Sequence, residues 1–275
     1  MIAAPPAASR GALAGMLLRL CLAAALPALV ACARPGDLQL VPASEQPLRG
    51  PAVAQGALIW SHGINAKGGR EARLAPTAAF VQRFARDGWD IFRFNRERSA
   101  ENPQRTAAAL VDYAAQLKRR GYARIVLAGQ SAGAWISLMA AGESADIDLV
   151  IANAPAYYGT LLDGGMRYFR MNASVLYYHL ERIRRGRIVV AYFEDDPFDP
   201  GGRGRATEQI LSADRVEHLV IDAPPGLDGH IAGSSIAFAA RYAGCLVAIA
   251  EGAPMRPEAA CARRTPPPLQ QATRR

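Results

Sequence analysis

Short apolar runs alternate along this chain with segments of helical periodicity. Ala57-Leu-Ile-Trp-Ser61 is an apolar run that ends at His62-Gly63, and Leu74 to Gly88 carries apolar residues at helical spacing before closing on glycine. Asp90-Ile-Phe-Arg-Phe-Asn95 alternates as a strand does. Asn102 to Arg120 then reads as a helix, with Pro103 in its first turn and Gly121 just past its end, the usual asymmetry of helix termini. The rhythm repeats: strand 124–128, helix 132–141, strand 147–152, strand 187–193, helix 205–213, strand 216–221 and a last helix 234–250.

Strands separated by helices require crossover connections, so the pattern predicts the α/β class: a mostly parallel central sheet with helices on both faces. No repeat with a period of 20–50 residues is evident. Residues 157–186, rich in Tyr and Arg, break the rhythm and read as an insertion. Residues 32–55, rich in Pro and polar side chains, read as a tether. A single domain is expected over 56–250, followed by a basic, Pro-rich tail over 251–275.

Composition adds a core and a compartment. Of the 275 residues 51% are hydrophobic and 20% charged, which supports a packed domain and excludes a broadly disordered chain. The net charge of +8 comes from 32 basic residues, of which only Lys67 and Lys118 are lysines, against 24 acidic ones. The arginines are scattered, so no nucleic-acid surface follows. Residues 1–31 hold no acidic residue, carry Arg10 and Arg19, and end in an apolar run of about 12 residues, which fits a secretory h-region and is too short to span a membrane. Met16 begins a compact basic Met-Leu-Leu-Arg-Leu and offers a second start. Leu29-Val-Ala-Cys32 resembles the lipobox of bacterial lipoproteins, which implies cleavage before Cys32 and acylation of its thiol, with ordinary secretory cleavage as the alternative. The expected place is the bacterial cell envelope or periplasm, anchored to a membrane at Cys32. Removal of 1–31 takes two arginines, leaving +8 − 2 = +6. With Cys21 removed and Cys32 acylated, Cys245 and Cys261 remain, either as a disulfide suited to an oxidising compartment or as two buried thiols.

Gly129-Gln130-Ser131-Ala132-Gly133 lies between a predicted strand and a predicted helix. This is GxSxG in the context where a sharp turn lifts a nucleophilic serine above a sheet. A serine hydroxyl needs an adjacent base, oriented in turn by a carboxylate. Of the four histidines, His62 is upstream at a strand end, His179 is in the insertion and His218 is inside a strand. His230, in the loop Pro224-Pro-Gly-Leu-Asp-Gly-His230, is the preferred base. The acid belongs in Glu194-Asp-Asp-Pro-Phe-Asp199, where Asp196 is preferred and Asp195 and Asp199 stay open; Asp222 reads as a structural loop residue. Oxyanion donors are expected from the N–H of Ala132 and from Ile64 or Gly63 in the loop after the first predicted strand.

On His62-Gly63, Gly129 to Gly133, Glu194 to Pro197 and Gly229-His230, in that order, residues 57–250 resemble an α/β-hydrolase. The resemblance implies a serine hydrolase of a small-molecule carboxylic ester acting through an acyl-enzyme. A peptidase or amidase of the same fold, or a non-catalytic hydrolase-like envelope lipoprotein, are the other readings. It also places 157–186 where many members carry a short cap, whose Tyr157, Tyr158, Tyr168, Phe169, Tyr177 and Tyr178 either line a pocket or pack a small helical cap. A bare His-Gly in place of the HGGG of some lipases argues against a dedicated lipase. No cofactor is implied, and the histidines and cysteines lack metal-ligand spacing.

Overall fold

The computed structural model describes residues 38–43, 46–64, 76–96, 102–199 and 201–262. Among the described residues seven strands form one sheet: β1 (Leu38–Pro42), β2 (Ala57–Ser61), β3 (Asp90–Arg96), β4 (Ile125–Gln130), β5 (Leu149–Asn153), β6 (Arg187–Tyr192) and β7 (Glu217–Asp222). Their order across the sheet is β1-β3-β2-β4-β5-β6-β7, with every neighbouring pair parallel except β1 and β3. The α/β class and the mostly parallel sheet read from the sequence are the architecture found.

Period-two alternation sends each inner strand's side chains to two cores. Leu58 and Trp60 of β2, Val126 and Ala128 of β4, and Val189 and Ala191 of β6 meet helices α1 (Ala79–Arg86) and α6 (Ile236–Ala250). There Phe80 of α1 packs edge to face on both Trp60 and Phe238, with ring centroids 5.9 Å apart in each pair. Ala57, Ile59, Ile125, Leu127, Ile188 and Val190 face the opposite side, against α2 (Pro103–Arg119), α3 (Ala132–Glu143), α4 (Leu161–Leu180) and α5 (Arg203–Ala213). Helix α2 begins as its sequence dictates: the Asn102 side chain accepts from Arg105 N–H at 2.9 Å, and Pro103 takes a first-turn position where no N–H is needed.

The domain is longer at both ends than the sequence pattern suggests. Within the expected tether 32–55, residues Leu38–Pro42 are a strand, which forms the edge of the sheet and pairs antiparallel with β3 from Leu38↔Arg96 to Pro42↔Phe92. Buried Asp90 then holds the following segment, accepting from Arg49 N–H at 2.7 Å, Gly50 N–H at 2.9 Å and the Tyr122 hydroxyl at 2.6 Å. Pro42 sits at the end of this edge strand, where a missing N–H costs no ladder bond, so a proline in the expected tether is compatible with sheet. At the other end, Gly252 to Ala262 of the expected tail pack on the domain. Helix α7 (Glu258–Cys261) is tied to α6 by the Cys245–Cys261 disulfide, whose Cα atoms lie 5.4 Å apart. A bridge closing so short a loop contributes about 2–4 kcal/mol. The guanidinium of Arg187 donates to the carbonyls of Ile249 and Ala253, and Met255 N–H donates to Glu217 at 3.1 Å.

The expected cap insertion 157–186 is also corrected. Adjacent parallel strands need a crossover, and α4 is the one between β5 and β6; its C-terminal half buries Asn172, Leu176 and Leu180 against α3 and α5. Only its first half protrudes. Helical geometry breaks at Gly164 and Gly165 (φ 62°), and before and just after that break Leu161, Leu162, Met166 and Tyr168 are exposed. Tyr157, Tyr158 and Tyr177 are partly buried packing residues, while Tyr168 and Tyr178 face out.

Candidate active site

Three loops converge at the carboxyl edge of the sheet, and each carries one residue of a hydrogen-bonded chain. Ser131 lies in the turn from β4 into α3, Asp196 lies four residues past β6, and His230 lies eight residues past β7. His230 Nδ1 is 2.9 Å from both Asp196 Oδ1 and Oδ2, and His230 Nε2 is 2.8 Å from Ser131 Oγ. With the carboxylate as acceptor, Nδ1 carries the ring proton and Nε2 is left to accept from the serine hydroxyl. The structure thus brings together Ser131, Asp196 and His230. It leaves Asp195 exposed, puts Asp199 against Arg203 at 2.9 Å, and holds Asp222 beside Gly204.

The elbow is built on close backbone approach. Ser131 adopts φ 57°, ψ −123°, a region that β4 and α3 impose from either side. Its N–H donates to Asn153 O on the adjacent β5 at 3.0 Å, and its carbonyl accepts from Trp135 N–H at 3.0 Å. The flanking glycines are there because nothing else fits. A Cβ on Gly129 would lie 2.4 Å from the Gly133 carbonyl carbon, and one on Gly133 would lie 2.0 Å from Ser61 O.

The loop after β2 abuts the same turn. A Cβ on Gly63 would lie 2.6 Å from Gln130 Oε1 and 3.1 Å from Ser131 Cβ, so the Gly63-Ile64 backbone runs directly beside the serine. Ala132 opens α3, where the first N–H groups have no helical acceptor. Both backbone segments expected to supply oxyanion donors thus lie beside Ser131.

The acid and histidine loops brace one another. Gly229 N–H donates to Glu194 O at 2.7 Å, and Glu194 and Asp228 form a parallel bridge. Within the acid loop, Phe198 N–H donates to Asp196 Oδ1 at 2.9 Å, and the Phe198 ring stacks over His230 with centroids 4.2 Å apart. The buried Arg203 guanidinium donates to Pro155 O at 2.7 Å, pairs with Asp199 of the acid loop at 2.9 Å and lies 4.9 Å from the Tyr192 ring centroid. Phe198, Arg203 and Asn153, whose Nδ2 donates to Gly233 O at 3.2 Å, are contributors that sequence reasoning missed. Only the neighbourhood of Phe198 and Asp196 in sequence hinted at one of them.

The other histidines serve the scaffold. His218 contacts Val216 O at 2.7 Å and Glu208 at 3.2 Å, and His179 stacks edge to face on Trp135, its pKa lowered by burial and then by Arg182. His62 is buried, with Nδ1 2.7 Å from Gly63 O, and burial, followed by the charges of Arg96 and Arg93, lowers its pKa to about 3. Folded His62 therefore stays neutral while the unfolded chain protonates it below about 6.5, so unfolding takes up a proton and stability falls as pH drops from 6.5 towards 3. In His62→Asn, the slope of unfolding free energy against pH over about pH 4–6 is expected to flatten by up to about 1.4 kcal/mol per pH unit. An unchanged slope in urea titrations would refute this account of His62. Among the described residues no three His, Cys, Asp or Glu side chains form a cluster able to hold a metal ion.

No protein-family model matches this sequence, and no protein of curated function matches it. Solved structures do match. A puromycin-hydrolysing peptidase of Mycobacterium tuberculosis aligns with a TM-score of 0.54 at 15% identity over 80% of this chain and 38% of its own. DcsB, solved with its substrate analogue, aligns at 0.53 and 13% identity over 72% and 93% of the two chains. The chain has the α/β-hydrolase fold. Est1E of Butyrivibrio proteoclasticus aligns at 0.49 and 16% identity over 78% and 90% of the two chains. Within the α/β-hydrolase fold, the serine turn after β4, the acid loop after β6 and the histidine loop after β7 all open at the carboxyl end of the sheet, where crevices of parallel sheets form.

Proposed function

We propose that this protein is a serine hydrolase that cleaves a carboxylic ester through an acyl-enzyme. The unbroken chain of hydrogen bonds from Ser131 Oγ through His230 to Asp196 carries the reading. In it, Ser131 Oγ attacks the substrate carbonyl carbon while His230 Nε2 takes the hydroxyl proton, and buried Asp196 steadies the imidazolium. The N–H groups of Ala132 and of Ile64 or Gly63 receive the negative charge that develops on the carbonyl oxygen. Collapse breaks the ester C–O bond, His230 returns the proton to the departing alcohol, and a water activated by the same histidine releases the acid. Covalent labelling by a fluorophosphonate tests the reading: wild type is expected to label and Ser131→Ala is not. A wild type that does not label would instead support a non-catalytic hydrolase-like protein.

Amide cleavage is the second reading, favoured by the fold similarity to the puromycin-hydrolysing peptidase. Turnover of esters of graded acyl length beside aminoacyl amides separates the two. We also propose that the chain is exported and held to a membrane through acylated Cys32, which, like the expected signal segment 1–31, lies outside the described residues. The Leu-Val-Ala-Cys sequence after an apolar run supports this. Radiolabelled palmitate is expected to enter wild type and not Cys32→Ala; equal incorporation would discard the anchor.

A further inference from the structure

Gln130 occupies the variable position before the nucleophile, and nothing in the GxSxG pattern gives its side chain a task. In the fold it joins loops that are remote in sequence. Its Nε2 donates to the main-chain carbonyl of His230 at 3.0 Å, across a separation of 100 residues. The other side of the same amide faces the Gly63 backbone so closely that a Cβ there would meet Oε1 at 2.6 Å. Its amide therefore lies between the histidine loop and the proposed oxyanion loop, on the chain segment that carries Ser131.

Besides this bond, His230 has ring contacts to Asp196, Ser131 and Phe198, and its loop is braced by the Gly229 N–H bond to Glu194 O and the Glu194–Asp228 bridge. The ring must change partners and charge during a turnover, so the ring contacts alone cannot fix where the histidine main chain sits. The bond from Gln130 fixes it from the serine's own side. We propose that Gln130 is a positioning residue that clamps the His230 main chain to the serine turn, holding Nε2 in line with Ser131 Oγ through its amide N–H donor.

The inference rests on the serine-hydrolase reading, and the chemistry of the amide separates the two. Gln130→Met keeps the length and removes the donor. Loss of one hydrogen bond in a partly buried site is expected to lower kcat and the second-order rate of fluorophosphonate labelling by about 3- to 10-fold, with KM little changed. Gln130→Glu puts a carboxyl opposite a carbonyl oxygen. When protonated it can still donate; when ionised it presents only acceptors, so this variant is expected to approach wild-type rates at acid pH and fall further behind as pH rises. A merely structural role moves neither the pH profile nor the split between kcat and KM. The downfield proton resonance of the His230–Asp196 hydrogen bond gives a readout that needs no turnover: it is expected to shift in Gln130→Met and, at high pH, in Gln130→Glu. Wild-type labelling with equal rates in the Met variant, or an unmoved resonance in both variants, would overturn the clamp alone. Absent wild-type labelling with a shifted resonance would uphold the clamp and remove the hydrolase reading.

Discussion

Ser131→Ala is expected to lose all fluorophosphonate labelling and to lower ester hydrolysis by about four to six orders of magnitude, with the fold intact. The size follows from what the hydroxyl does in this geometry. Its oxygen is 2.8 Å from His230 Nε2, whose other nitrogen is engaged by both oxygens of buried Asp196. On the proposed serine-hydrolase reading, removing Oγ removes the nucleophile and leaves His230 with nothing to activate except water. The backbone stays in place, because the Ser131 N–H and carbonyl bonds to Asn153 and Trp135 do not involve the side chain. Thermal unfolding within a few degrees of wild type would show that the loss is chemical. Asp196→Asn is expected to cost about 10⁴, since an amide can present its NH₂ to Nδ1 and so favour the wrong ring tautomer. Residual turnover within a hundredfold of wild type in Ser131→Ala would remove Ser131 as nucleophile.

Gly133→Ala is expected to carry the largest stability loss of any single methyl addition at the site, about 3 kcal/mol or more. The added Cβ would lie 2.0 Å from Ser61 O, 2.5 Å from the Ser61 carbonyl carbon and 2.7 Å from His62 O. All three are backbone atoms at the end of β2, which is hydrogen-bonded on both edges to β3 and β4. No rotamer change can relieve the contact. Helix α3 must shift away from the sheet and take Ser131 with it, so activity is expected to fall by about a hundredfold even in the molecules that fold. Gly142→Ala, near the other end of the same helix, is the control. Its Cβ would find nothing nearer than 3.5 Å, and alanine is the better helix former, so it is expected to be neutral or to stabilise by up to about 1 kcal/mol. Urea midpoints that place the two variants together would refute the close-approach explanation of the GxSxG glycines.

How much of this was readable before folding differs from element to element. β2, β4, β5 and β6 are buried on both faces, so each is a continuous apolar run that stands out from its surroundings. α2 advertises both its ends through Asn102-Pro103 and Gly121. β1 does not stand out: an edge strand of five residues among prolines carries the composition of a loop, and only its partner β3 makes it a strand. The segment 157–186 reads as a cap in the sequence because its exposed first half, broken at Gly164-Gly165, hides a regular crossover helix in the second.

The candidate site divides in the same way. Serine, acid and histidine could be picked out because small-residue turns and loops after apolar strands leave a local signature, and so could the pair of cysteines left over for a bridge. Local pattern was thus enough for the α/β class, the serine turn and the loops that carry His230 and the candidate acids. Folding alone decided which of the neighbouring acids reaches His230, that Gln130 touches a carbonyl 100 residues away, that Phe198 stacks on the imidazole, and that Arg203 is buried against Pro155, Asp199 and Tyr192. Apolar periodicity is written residue by residue, whereas these contacts arise from the order in which strands pair across the sheet, and that order brings together chain segments that carry no mark of one another.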